Sequence, residues 1–83
     1  MPKVKHRKVE QVAALERLAC LLHDTRVAVD DASATGAPIG GYSYSSMSTY
    51  LLDRELAAWS SIDTLACDFT DEDQAALENA LSQ

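Results

Sequence analysis

Cysteine is scarce in this chain: Cys20 and Cys67 are the only two in 83 residues. Two cysteines cannot build the disulfide framework of a small secreted domain. Each falls in an apolar helical pattern, so both are expected as buried free thiols. Cations are scarce as well once the first eight positions are passed. Lys3, Lys5, Arg7 and Lys8 open the chain, leaving Arg17, Arg26 and Arg54 against thirteen acids, so the body from Val9 onward carries −10. A body of that sign repels phosphate and suits a partner with a basic surface, which argues against direct nucleic-acid binding unless the basic arm supplies the cation. A membrane-spanning run is missing too. The one long uncharged stretch is Ser/Gly-rich and broken by Pro38, and Glu10, Glu16 and Arg17 interrupt any export signal near the start. A soluble cytoplasmic protein is the expected class.

The most telling gap is in charge itself. From Ala32 to Leu52 there is no Asp, Glu, Lys, Arg or His over twenty-one residues, although 24% of the chain is charged. This window holds all three tyrosines (Tyr42, Tyr44, Tyr50), all three glycines and five of the eight serines. Tyr offers a large amphipathic surface with few torsions to freeze, and Ser and Gly add hydrogen bonding and backbone freedom, the makings of an adaptable contact surface.

The core, by contrast, is thin. Thirteen of the apolar residues are Ala and only twenty-one are large, in a chain already near the lower size limit for independent folding. What apolar residues there are recur at helical spacing. Leu15, Leu18, Leu22 and Val29, with Val12 and Ala19, place a helix over residues 8–29. Leu52, Leu56, Trp59, Ile62 and Ala66, flanked by Met47, Leu51, Ala58 and Leu65, place a second over 46–66, with the serines before it able to cap its first amides. Glu55 and Asp63 intrude on that apolar arc and call for Arg26 or His23 opposite one of them. Thr70-Asp71-Glu72-Asp73 is a capping signature with three acids in a first turn, and starts a helix over 71–81 whose Leu77, Ala80 and Leu81 should face inward.

These elements make an all-α fold, a single small three-helix domain over residues 8–83 with a Gly/Ser/Tyr-rich connector, preceded by a mobile basic arm at 1–7. A short third helix cannot cover the whole groove between two long ones, so a homodimer or a heterologous partner is expected over the remainder.

No constellation for catalysis, cofactor or metal stands out. Cys20, His23 and Asp24 share one helical turn, but zinc needs three or four ligands, and His6 and Cys67 complete no known spacing. The glycines of Gly36-Ala37-Pro38-Ile39-Gly40-Gly41 lack the Lys-Ser/Thr of a phosphate loop. Ser43, Ser45, Ser46 and Ser48 lack a neighbouring base. In outline, an acidic chain of this length with a long first helix, a glycine-bearing loop and a serine opening the second helix resembles an acyl carrier protein. The resemblance implies a phosphopantetheine-bearing serine, but Tyr44-Ser45-Ser46-Met47 lacks the family's Asp-Ser-Leu signature.

The expected function is therefore noncatalytic: a protein-binding module, an adaptor or inhibitor, contacting its partner through Tyr42, Ser43, Tyr44 and Tyr50. In an extended segment, Tyr42 and Tyr44 would lie on one side. The alternative is an acidic nucleic-acid mimic of the phage or mobile-element type, blocking a nucleic-acid-binding protein through Asp68, Asp71, Glu72 and Asp73 as phosphate substitutes.

Overall fold

The computed structural model describes residues 3–41 and 43–82, and in that range it contains three helices and no strand. Helix α1 spans Lys3–Ala34, α2 Tyr44–Ala66 and α3 Asp71–Leu81. Both α2 and α3 pack on α1, which is the spine of the molecule.

α1 and α2 form an antiparallel hairpin with a heptad-spaced seam. On α1 the inward positions are Val12, Leu15, Ala19, Leu22, Arg26 and Val29; on α2 they are Tyr44, Ser48, Leu51, Glu55, Ala58, Ile62 and Leu65, each buried or half-buried. Polar groups cross this seam at its loop end. Arg26 Nη2 lies 3.4 Å and His23 Nδ1 3.6 Å from Glu55 Oε1, and Ser48 Oγ donates to Asp30 Oδ1 at 3.2 Å. At the opposite end Lys8 Nζ pairs with Asp68 Oδ2 at 3.2 Å.

α3 seats in the groove beside this seam, over the first half of α1. Its Leu77 joins Val9, Val12, Ala13 and Ile62 in the main apolar cluster, with Ala76, Ala80, Leu65 and Phe69 packed around it. Thr70 Oγ1 accepts from the Asp73 amide at 3.2 Å while the Asp73 carboxylate accepts from the Thr70 amide at 3.0 Å, closing both halves of the capping box. At the other end the Arg17 guanidinium donates to the Ala80 carbonyl, a cation at the negative pole of the helix.

Several expectations change. α1 begins at Lys3, five residues before the expected start. It also runs five residues past Val29, because nothing stops it before Gly36, which takes φ +74 and donates its amide hydrogen bond to the Ser33 carbonyl. α2 starts at Tyr44, with Ser43 as its N-cap. The rotation of α2 also differs: bringing Glu55 to Arg26 turns Leu52, Leu56 and Trp59 out of the seam, and all three are exposed. Leu81 is exposed at the end of α3, and Cys20 and Cys67 are free but exposed, not buried.

The result is long and thin, 53 × 22 × 17 Å with a radius of gyration of 16.4 Å, where a compact chain of this length would have about 12 Å. Among the described residues no helix is long and apolar enough to cross a membrane.

Candidate functional site

The charge-free window occupies the tip of the α1/α2 hairpin. Gly36 and Gly41, at φ +74 and +82, supply the left-handed residues that turn the chain out of α1 and toward α2. Thr35 Oγ1 donates to the Ala32 carbonyl at 2.6 Å and accepts from the Ala37 amide at 3.2 Å, fixing the start of the connector. Tyr44 fixes its middle: the half-buried side chain donates from its hydroxyl to the Ala37 carbonyl at 2.7 Å.

This bracing holds Ile39 beside the helices. Ile39 joins Thr25 of α1 and Ser46, Met47, Tyr50 and Leu51 of α2 around an open cavity of about 590 Å³. No lining residue is ionisable except Tyr50, and the walls are chiefly apolar. The size is in the range that accepts a buried side chain or small ligand. Tyr50 stands at the rim, 59% exposed, with the Arg54 guanidinium 4.8 Å from its ring centre.

The predicted contact residues thus divide. Tyr50 is at the cavity. Tyr44 is beside it but has its hydroxyl committed to the connector. Ser43 caps α2, accepting from the Ser46 amide at 3.1 Å and donating to Ser46 Oγ at 2.8 Å. The Tyr42 position lies outside the described residues. Ile39, Thr25, Met47 and Leu51 were not singled out as contact residues from the sequence. A signal for Ile39 exists, since it is the one large aliphatic side chain between two glycine-bearing turns. Thr25 carries no such signal, because only the helix packing brings it to the connector.

The acidic set lies at the opposite end. Asp68 pairs with Lys8 and Asp73 belongs to the capping box, while Asp71 and Glu72 are exposed in the first turn of α3. Ser45 and Ser46, the serines an acyl carrier outline would offer, sit in the first turn of α2. Among the described residues no three His, Cys, Asp or Glu side chains converge to hold a metal ion. His23 instead meets Arg26 Nη2 at 3.2 Å.

A second apolar surface lies on the α3 side of the hairpin. Beyond Leu81 the groove that seats α3 continues without a filling helix, as an opening of about 550 Å³ lined by Glu16, Arg17, Cys20, Leu21, Asp24, Trp59 and Leu81. Leu52 and Leu56 extend the Trp59 stripe at helical spacing along the same side of α2. The chain carrying these two surfaces matches no protein-family model, no curated protein and no solved structure.

Proposed function

We propose that this chain is a noncatalytic protein-binding module, an adaptor or inhibitor, that engages its partner with the uncharged tip of the α1/α2 hairpin. One observation carries the reading: the charge-free window is folded around an apolar cavity rimmed by Ile39, Met47, Leu51 and the exposed Tyr50. Such a recess takes an apolar anchor from a partner, and a Tyr at the rim is a residue type that dominates binding energy at interfaces. The acidic body favours a partner whose surrounding surface is basic.

The test is affinity capture from the native host with the wild-type chain and with Tyr50→Ser and Ile39→Ser. Both side chains are exposed, so helicity measured by circular dichroism should be unchanged. Recovery of the specific partner should fall at least tenfold for each variant, about 1.4 kcal/mol or more. Equal recovery by wild type and both variants would reject the tip as the contact.

The nucleic-acid-mimic alternative receives less support. Asp68 is paired with Lys8 at the surface and Asp73 is committed to the capping box, which leaves Asp71 and Glu72 as a small phosphate-like array. Under that alternative, Asp71→Lys with Glu72→Lys would abolish partner capture and the Tyr50 variant would not.

A further inference from the structure

We infer that the uncovered half of the groove on the α3 side, floored by Leu52, Leu56 and Trp59 and ended by Leu81, is where a second copy of this chain binds. The surface is distinct from the Ile39–Tyr50 cavity and stands independently of the proposed function.

Area is the first reason. The chain exposes 5929 Å², whereas a folded monomer of 9.0 kDa exposes roughly 4,900 Å² by the surface scaling of monomeric proteins. The excess, on the order of 1,000 Å² over the whole elongated chain, is enough to supply the ~800 Å² that one partner contributes to a standard stable interface. Much of the unburied apolar surface is on this side: Leu56 is 59% exposed, Leu52 39%, and Trp59 and Leu81 each 38%.

Continuity is the second reason. α3 already shows what this groove accepts, since its Ala76, Leu77 and Ala80 fill the first half over Val9 and Ala13. Past Leu81 the floor continues but the helix stops. A second hairpin laid across by a two-fold axis would set each copy's Leu52–Leu56–Trp59 stripe against the other's and complete a four-helix core. The contact is self-complementary, as two-fold symmetry requires, and each copy gains the apolar packing that its own thin core lacks.

The acids determine how the pairing responds to salt. Glu16 and Asp24 outnumber the one cation at the opening, Arg17, whose guanidinium already donates to the Ala80 carbonyl, and each copy carries a net −6, so like charges oppose association and added salt should strengthen it. A basic helical partner in the same groove would behave in the opposite way.

The experiment is native mass and light scattering of the full chain from low to high micromolar concentration, at low and high salt. The expected species at high concentration is twice the 9.0 kDa chain mass, with its fraction rising with salt. Leu56→Asp and Trp59→Ala should each shift it to monomer, while Tyr50→Ser should leave it paired. Should a variant lose helicity, the wild-type chain gives the same answer through its two thiols. Cys20 lines the groove and Cys67 does not, so thiol labelling should be at least several-fold slower at Cys20 than at Cys67 when paired, and the ratio should relax on dilution. A chain that stays monomeric throughout, pairing that survives Leu56→Asp, pairing that weakens with salt, or a labelling ratio that ignores concentration would each overturn the inference.

Discussion

Glu16, like Arg26, has a buried side-chain polar atom with no hydrogen-bond partner. Its Oε2 is out of contact with solvent and has no hydrogen-bond partner, although the side chain as a whole is only half-buried. A carboxylate oxygen in that position has given up water without replacing it, which costs about 1–3 kcal/mol. The groove around it is lined by Trp59, Leu81 and Cys20, and the one cation beside it, Arg17, donates its Nη2 to the Ala80 carbonyl. Glu16→Leu should therefore raise the urea midpoint, worth about 1 kcal/mol or more at unchanged denaturant slope; a lower midpoint would mean that water or a neighbour already satisfies the carboxylate. Thr70 is the opposite case, bonded to Asp73 through both its side-chain oxygen and its backbone amide. Thr70→Ala opens the capping box and should cost about 1 kcal/mol, or roughly 4–8 °C in melting temperature for a domain of this size. Thr70→Asp, which can still accept from the Asp73 amide, should recover part of that loss.

Between elements, the decisive contact is Arg26 with Glu55. Their side chains are 23% and 14% exposed, so removing one leaves the other poorly hydrated. Glu55→Leu or Arg26→Leu alone should destabilise by about 1–3 kcal/mol, while the two together should be close to neutral or stabilising, because an apolar pair avoids the desolvation cost. Chemical denaturation of the two singles and the double checks this, and additive losses would show that the pair is not coupled. The same contact explains which parts of the fold could be read from the sequence. The three helices were legible because Leu15, Leu22, Ile62 and Leu77 recur at helical spacing, and the third start was legible because Thr70 and Asp73 form a local capping signal. The polar intrusion of Glu55 also pointed to Arg26 or His23. The rotation of α2 was not legible: Leu52, Leu56 and Trp59 outweigh Ser48, Glu55 and Ala58 in hydrophobicity, yet the polar pairs across the seam put the smaller set inside. The candidate site was half legible. Absence of charge marked the tip, and Tyr50 was named, but the cavity depends on the tertiary placement of Thr25 and Ile39.

For the molecule as a whole, few residues carry much of the stability. Among the described residues eight hydrophobic ones are buried, three of them alanines, and Val12 is the largest fully buried side chain. A domain this small and extended draws roughly 3–5 kcal/mol from its core at most. Leu77 joins the third helix to the spine, and cutting it to Ala leaves a cavity between Val9, Val12 and Ile62 that costs about 2–5 kcal/mol. That is comparable with the whole reserve, so Leu77→Ala should lose most of its helical signal well below the wild-type melting temperature. Undocked, the eleven residues of α3 are too few to remain helical alone. Leu21→Ala removes the same number of atoms from a position 63% exposed and should shift stability by no more than about 0.5 kcal/mol. Thermal melts of the two variants at matched concentration compare them directly. If Leu77→Ala melts with the wild type, α3 lies outside the cooperative unit and the hairpin folds without it. If Leu21→Ala is the more damaging of the two, the groove face is already buried at that concentration, and the loss should shrink on dilution as copies separate.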